Sequence, residues 1–215
     1  MSLTYRLLYD AIFIHFRRRR MDRFFALFSV SPHTRLLDIG GHEPTWTTEV
    51  TNGIPFPVTL INTFDYGAVG NPRFQSVLGD ATNLPFADHS FDIAFSNSVI
   101  EHVGTWEDQQ KFAQEIRRVA PKLWVQTPAR SFPIEAHLLA PCIQYLPKRL
   151  QHRIARFTPR GLLQPEEVHQ IIDEVRLLTY KEMRQLFPDC IILRERLLGL
   201  TKSYIAIRAA DTSPS

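Results

Sequence analysis

Apolar side chains recur at helical spacing near the start of the chain, at Leu3, Leu7, Ala11 and Ile14 and again at Phe24, Leu27 and Phe28. The spacing predicts one or two amphipathic helices over residues 3–28, ended by Ser31-Pro32. The pattern then changes to short apolar runs. Residues 35–39 make the first, closed by Gly40-Gly41, and residues 58–61, 74–78, 91–96 and 122–126 follow, bounded by Gly, Pro, Asp or Asn. Between the last two, residues 105–119 return to helical spacing, with Thr105 and Asp108 at the start, Arg117-Arg118 near the end and Pro121 as the stop. Short strands alternating with helices imply a parallel sheet built from right-handed crossovers.

Later in the chain, Thr179-Tyr180-Lys181-Glu182 has the form of a capping box opening a short helix that ends near Phe187-Pro188. Two β-rich runs follow, 190–195 and 203–208, joined through Gly199, and they are expected to pair as an antiparallel edge. Residues 128–178 fit this alternation least. They are rich in Pro, Arg, His and aromatic residues and exceed the length of an ordinary crossover, so they read as a cap of short helices. The apolar side chains of this segment, Phe132, Leu138, Leu139, Ile143, Tyr145 and Leu146, are interrupted by Pro133, Pro141 and Pro147, which argues against a spanning helix; they either complete the core or line a pocket. The expected organisation is residues 1–30 as helices packing on the core, 31–210 as one domain carrying the cap, and 211–215 as a disordered tail.

Composition fits one ordinary globular domain, with 44% hydrophobic and 22% charged residues. The formal charge of +3 is uneven: residues 1–23 hold six basic and two acidic side chains, against 19 and 20 elsewhere. Arg17, Arg18, Arg19, Arg20 and Arg23 make up most of the basic group. They read first as a solvated helix face, and secondly as a patch for phosphate groups of a membrane surface or nucleic acid. Cys142 and Cys190 have no metal-ligand or redox spacing, which fits a reducing cytoplasm, and no His/Cys/Asp set has a recognisable metal spacing. No metal is therefore expected.

In an open α/β sheet, ligands bind at the carboxyl ends of strands near the reversal of strand order, and a glycine turn after the first strand lets backbone approach the ligand. Asp38-Ile39-Gly40-Gly41 is such a turn, and Asn62 closes the second strand where ribose hydroxyls are commonly held. LLDIGG, then GDATNLPFADHSFDIAFSNSVIEHV, then LWVQTP, in this order and spacing, resemble the class I S-adenosylmethionine-dependent methyltransferase family. The resemblance covers about residues 30–130 and the C-terminal hairpin. It implies a Rossmann-like sheet of seven mostly parallel strands with helices on both faces and an antiparallel last strand.

Carried over by position, the resemblance implies that Asp38, Gly40 and Gly41 belong to the loop holding the methionine part of S-adenosyl-L-methionine. It implies that Asp80 accepts the adenine amino hydrogen, that Ala81 offers its backbone amide to the ring, and that Asn97 faces the sulfonium end. Two features depart from the family: His42 and Pro44 replace later glycines of the loop, and Asn62 stands where an acid is usual, with Asp65 three residues on. Methyl transfer needs an aligned acceptor and, for a hydroxyl or amine of high pKa, a base. His137 with Glu135, or else His102, is the expected base, and Glu101 reads as a capping or pairing residue; Arg130 and Arg160 are candidates to clamp an acidic group. The expected function is methylation, chiefly on oxygen, of a small molecule in the cytoplasm, without nucleic acid, a peripheral membrane contact and the oligomeric state being left open. The alternatives are a cofactor-binding protein without methyl transfer, or an RNA- or membrane-associated methyltransferase guided by the arginine cluster.

Overall fold

The computed structural model describes residues 3–47, 54, 56–65 and 70–209, with the side chains of 3–14, 47 and 163 excepted. The tail 211–215 and the early apolar positions Leu3, Leu7, Ala11 and Ile14 thus lie outside the residues whose order or burial is described.

Seven strands form one sheet in the order β3-β2-β1-β4-β5-β9-β8. They are β1 (Leu36–Ile39), β2 (Val58–Asn62), β3 (Phe74–Leu78), β4 (Ile93–Asn97), β5 (Lys122–Pro128), β8 (Ile191–Leu197) and β9 (Leu200–Arg208). β1 pairs in parallel with β2 and β4, and β2 in parallel with β3. The strands β1, β2 and β4 are buried nearly throughout, as expected of parallel strands covered on both faces. The β9-β8 edge is antiparallel. Leu198 and Gly199 both have positive φ (50° and 82°), the pair of left-handed residues that a two-residue hairpin turn requires. The strands accordingly run up to the turn, so both are longer than the apolar runs alone imply.

The helices are α1 (Leu3–Leu27), α2 (Glu43–Thr47), α3 (Trp106–Val119), α4 (Lys148–Ala155), α5 (Pro159–Leu163), α6 (Glu167–Glu174) and α7 (Tyr180–Leu186); β6 (Ile134–Glu135) and β7 (Ala140–Pro141) form a separate small hairpin. Of the one or two helices expected over 3–28, the chain forms one, the 25-residue α1. The capping box of α7 is present: the Thr179 hydroxyl accepts from the Glu182 backbone N–H while the Glu182 carboxylate accepts from that of Thr179. α3 is amphipathic, burying Gln109, Phe112, Ala113, Ile116 and Val119 at helical spacing.

The chain divides into two compact units, Met1–Asn97 with Gln114–Trp124 and Ile207–Ser215, and Ser98–Ala113 with Val125–Ala206. The first is built on an aromatic cluster. Phe24 lies with its ring centroid 5.4 Å from Phe95, 5.9 Å from Trp46 and 6.0 Å from Trp124, all three near edge-on. Edge-to-face geometry sets positive ring edges against negative faces and adds to the stabilisation from burial. Arg20 on the same helix is buried as well, donating to the side chain of Asn97 at 3.1 Å. The solvated reading of the arginine cluster therefore fits Arg17, Arg18 and Arg19, which are exposed, but not Arg20. In the second unit, Leu138, Ala140, Ile143, Ala155, Val168 and Ile172 form a core cluster, so Leu138 and Ile143 serve packing.

Phe24→Ala should cost about 3–5 kcal/mol, because it removes a fully buried ring and leaves a cavity among rigid aromatic neighbours. Urea unfolding measures it; a loss below about 1 kcal/mol would mean that the cluster closes over the gap and that α1 is not pinned by this side chain.

Candidate functional site

β1 carries its acidic residue inward. Asp38 is 1% exposed, and the indole N–H of Trp46 on α2 donates to its Oδ2 at 2.8 Å. Burial pushes the carboxyl up to about 7, the Trp46 hydrogen bond pulling the other way. Directly above it, Gly40 takes φ 73° and Gly41 has no room for a side chain: a Cβ there would lie 1.7 Å from Asp38 Oδ2. The turn is held on its other flank by the Gly40 N–H donating to Ile61 O (2.8 Å) and by Asn62 Nδ2 donating to Gly41 O (2.9 Å). Of the residues that replace later glycines, His42 directly precedes α2 and Pro44 lies in its first turn; this helix delivers Trp46.

The carboxyl ends of β1, β2, β3 and β4 bring together all seven residues that the sequence assigns to the cofactor. Order reverses between β2-β1 and β4-β5, so these ends lie at the switch point of the sheet. Register pairs Ile39 with Ile61 and with Ser96, and Asn62 with Leu78. Asn62 is 8% exposed, with one of its two amide N–H groups given to Gly41 O. Asp65 is exposed. Asp80 is exposed just beyond β3, and its Oδ1 accepts from Thr82 N–H at 2.8 Å, which is the turn role. Ala81 is buried. Asn97, at the end of β4, is half-buried and fixed by Arg20.

The second unit holds another polar cluster, assembled from side chains 35 positions apart. The 3₁₀ turn Ile100–His102 follows Ser98, a non-glycine residue at φ 60° whose N–H and hydroxyl both bond Gln126. Gln109 Nε2 donates to Ile100 O and the Arg176 N–H to Glu101 O, latching the turn in place. Glu101 is wholly buried and its Oε2 accepts from the Thr127 hydroxyl at 2.8 Å. It is thus neither a helix cap nor a surface pair.

From the β6-β7 hairpin come Glu135 and His137. Glu135 Oε1 lies 2.7 Å from His137 Nδ1, and its Oε2 accepts from the Leu138 N–H at 2.6 Å. His137 Nε2 then meets His102 Nε2 at 3.1 Å. Burial lowers the basicity of His137, but the bond to Glu135 and the charges of Glu135 and Glu101 outweigh it, and its pKa is raised. His102 moves the other way, to about 4, through burial and the neighbouring His137 charge. No metal spacing is visible along the chain, yet Glu101, His102 and His137 each offer a ligand atom within 4.8 Å of the others. Only the fold brings the loop of β6-β7 to the turn after β4, which is why no local motif announces the set.

A cavity of about 190 Å³ lies in the same unit, lined by Arg130, Lys148 and Arg176, by Glu135, and by apolar residues including Leu138 and Ile172. Arg130 belongs to it; Arg160 instead pairs with Glu167 at 2.9 Å. Cys142 is exposed, Cys190 is buried, and neither is in a disulfide. Among the described residues no helix is long and apolar enough to cross a membrane.

Comparison with known proteins places residues 61–122 in a family described as methyltransferase domain. A protein of Encephalitozoon cuniculi (strain GB-M1) that bears the name methyltransferase is 32% identical over 103 residues, which are 47% of this chain and 45% of that protein. The match thus takes in less than half of that relative's length. Among solved structures, the N-terminal domain of EvdMO1 with SAH bound is similar with a TM-score of 0.54 at 14% identity, covering 90% of this chain and 81% of that one. A Haemonchus contortus phosphoethanolamine N-methyltransferase 2, in complex with phosphomonomethylethanolamine and S-adenosylhomocysteine, also gives 0.54 at 14% identity, covering 82% and 38%. These structures share the fold of the chain.

The raised pKa of Asp38 fixes a pH dependence. A carboxyl near 3.8 when unfolded and about 7 when folded binds its proton more tightly in the folded state, so its contribution is greatest at low pH. Wild-type stability should fall as pH rises through the window from about 4 to about 7 and then level off. Asp38→Asn keeps an acceptor for Trp46 and should lose less stability across that window. Urea midpoints for both proteins over a pH series decide it, and parallel curves would show that the buried carboxyl does not titrate there.

Proposed function

We propose that this chain is a class I S-adenosylmethionine-dependent methyltransferase, as its methyltransferase-domain match and its fold support, and that it transfers a methyl group from that cofactor to a small-molecule acceptor, on oxygen. The observation that carries the reading is the glycine turn above Asp38, which exposes backbone at the switch point because no side chain fits at Gly41. Bound cofactor supplies an electrophilic methyl group on a sulfonium. Gly40 and Gly41 present backbone to its methionine part, with Asp38 and Asn62 holding the turn from either side. Asn62 Oδ1 accepts from the ribose, Asp80 Oδ2 from the adenine amino group, and Ala81 offers its N–H to the ring. Asn97, steadied by Arg20, faces the sulfonium end.

For the acceptor, the reading draws on the second unit. The cavity joins an apolar wall to Arg130, Lys148 and Arg176, which suits a small molecule carrying an acidic group. Glu135 both lines this cavity and bonds His137. A carboxylate–imidazole pair is the group required when a hydroxyl must lose its proton as the methyl arrives, and this supports oxygen as the acceptor. His102, Glu135 and His137 together handle that proton.

Calorimetry should find binding of S-adenosylmethionine or S-adenosylhomocysteine, weakened about tenfold or more in Asp80→Ala through loss of a charged hydrogen-bond partner. Asn62→Asp should weaken it too, since a carboxylate cannot donate to Gly41 O. Absence of binding by the wild type at millimolar cofactor overturns the whole reading. Incorporation of labelled methyl into a fractionated metabolite extract identifies the acceptor. With that acceptor, His137→Ala should lower single-turnover transfer by roughly 10²- to 10⁴-fold with cofactor affinity intact. Near-normal rates would return the histidines to a structural role.

A further inference from the structure

We infer that Glu101, His102 and His137 bind one divalent transition-metal cation of the Zn²⁺ class, with Glu135 as the residue that orients His137. The inference rests on the proposed function only for what the cation does, not for its binding. Two imidazole nitrogens on one cation, each at about 2.0–2.1 Å, stand about 2.9–3.4 Å apart for ligand angles between octahedral and tetrahedral. The two Nε2 atoms stand 3.1 Å apart. Their rings are nearly perpendicular (87°) with centroids 4.8 Å apart, so nitrogen edges converge instead of ring faces stacking. The third ligand, Glu101, completes a set within 4.8 Å and is wholly buried, where a carboxylate is costly unless a cation offsets it.

The supporting contacts match what an imidazole ligand needs. A metal-bound histidine donates its other ring N–H to a carboxylate, which fixes tautomer and orientation. His137 Nδ1 has that partner in Glu135, whose second oxygen is held by the Leu138 N–H. Thr127 steadies Glu101, and Gln109 and Arg176 hold the turn that carries both Glu101 and His102. Two nitrogens and one carboxylate favour Zn²⁺-like ions over Mg²⁺ or Ca²⁺, which take oxygen ligands. Three protein ligands leave a coordination position open, as sites that act on a substrate do; under the proposed function that position takes the acceptor's oxygen, and the cation would ease loss of its proton, the imidazoles then acting through the cation as its ligands and not as a free base. Without a cation, one proton shared between the two Nε2 atoms fills the same place.

His152, His169 and Asp173 provide an internal control. His152 lies within hydrogen-bond distance of both His169 and Asp173, but the two histidine rings stack at 15° and His152 Nε2 is taken by Asp173.

The test is calorimetric titration of the chelator-treated full chain with Zn²⁺ in the absence of cofactor, with Co²⁺ absorption as a second probe. One Zn²⁺ per chain is expected, lost in both His102→Ala and His137→Ala, weakened roughly 10- to 100-fold in Glu135→Gln, and unchanged in His152→Ala. Cofactor binding by each variant reports that it is folded. Absence of stoichiometric Zn²⁺ binding by the wild type, equal affinity in folded His102→Ala and His137→Ala, or loss in His152→Ala alone overturns the inference. Zn²⁺ binding without cofactor binding would instead strike the methyl-transfer reading, so the two failures are distinct.

Discussion

A carboxyl group buried away from solvent, lodged where a side chain of Gly41 would otherwise stand, is the constraint on which the first unit depends. Asp38 fills the space beneath the turn, so residue 41 must be glycine and the backbone above it is left bare. The same carboxyl calls for a donor, and the Trp46 indole supplies it. Trp46 in turn is placed by Phe24, Phe56 and Phe95. One buried polar atom thus ties the turn after β1 to the aromatic cluster.

The polar groups of the two units work by different physics. In the first, the features assigned to ligand contact are largely backbone, shaped by glycine, by Asn62 and by strand ends, and they tolerate little change of size. In the second, side chains make the cluster: two carboxylates, two imidazoles and a hydroxyl, each with its orientation set by a hydrogen bond. Backbone sites recognise what many related ligands share, whereas side-chain clusters can be altered one residue at a time. That division suits a fold with a common cofactor and variable acceptors.

What could be read in advance follows the reach of each signal. The five parallel strands, α3 and the Thr179–Glu182 box are specified by residues a few positions apart, and the sequence shows them within a residue or two. The positions at the carboxyl ends were legible because strand ends and glycine turns are themselves local. The Asp38–Trp46 bond was not, since nothing in HEPTW marks an indole as a buried donor. Nor was the inward turn of Arg20, which sits in a run of four arginines and is distinguished only by its place on the helix. The meeting of His102 with His137 depends on where a short hairpin comes to lie, and no periodicity encodes that.

The sheet ends at β3 on one side and β8 on the other, and the two ends are guarded unequally. β8 shows Arg194 and Arg196 outward and buries Glu195 against Ser203, so a foreign strand laid along it would meet charge on both of its faces. β3 presents Gln75, Ser76 and a Leu78 that is 67% exposed, with no charged residue in the strand. Among the described residues the rim of β3 is therefore the edge of the sheet that charge protects less, and a surface charge introduced at Gln75 or Ser76 would even out the two sides.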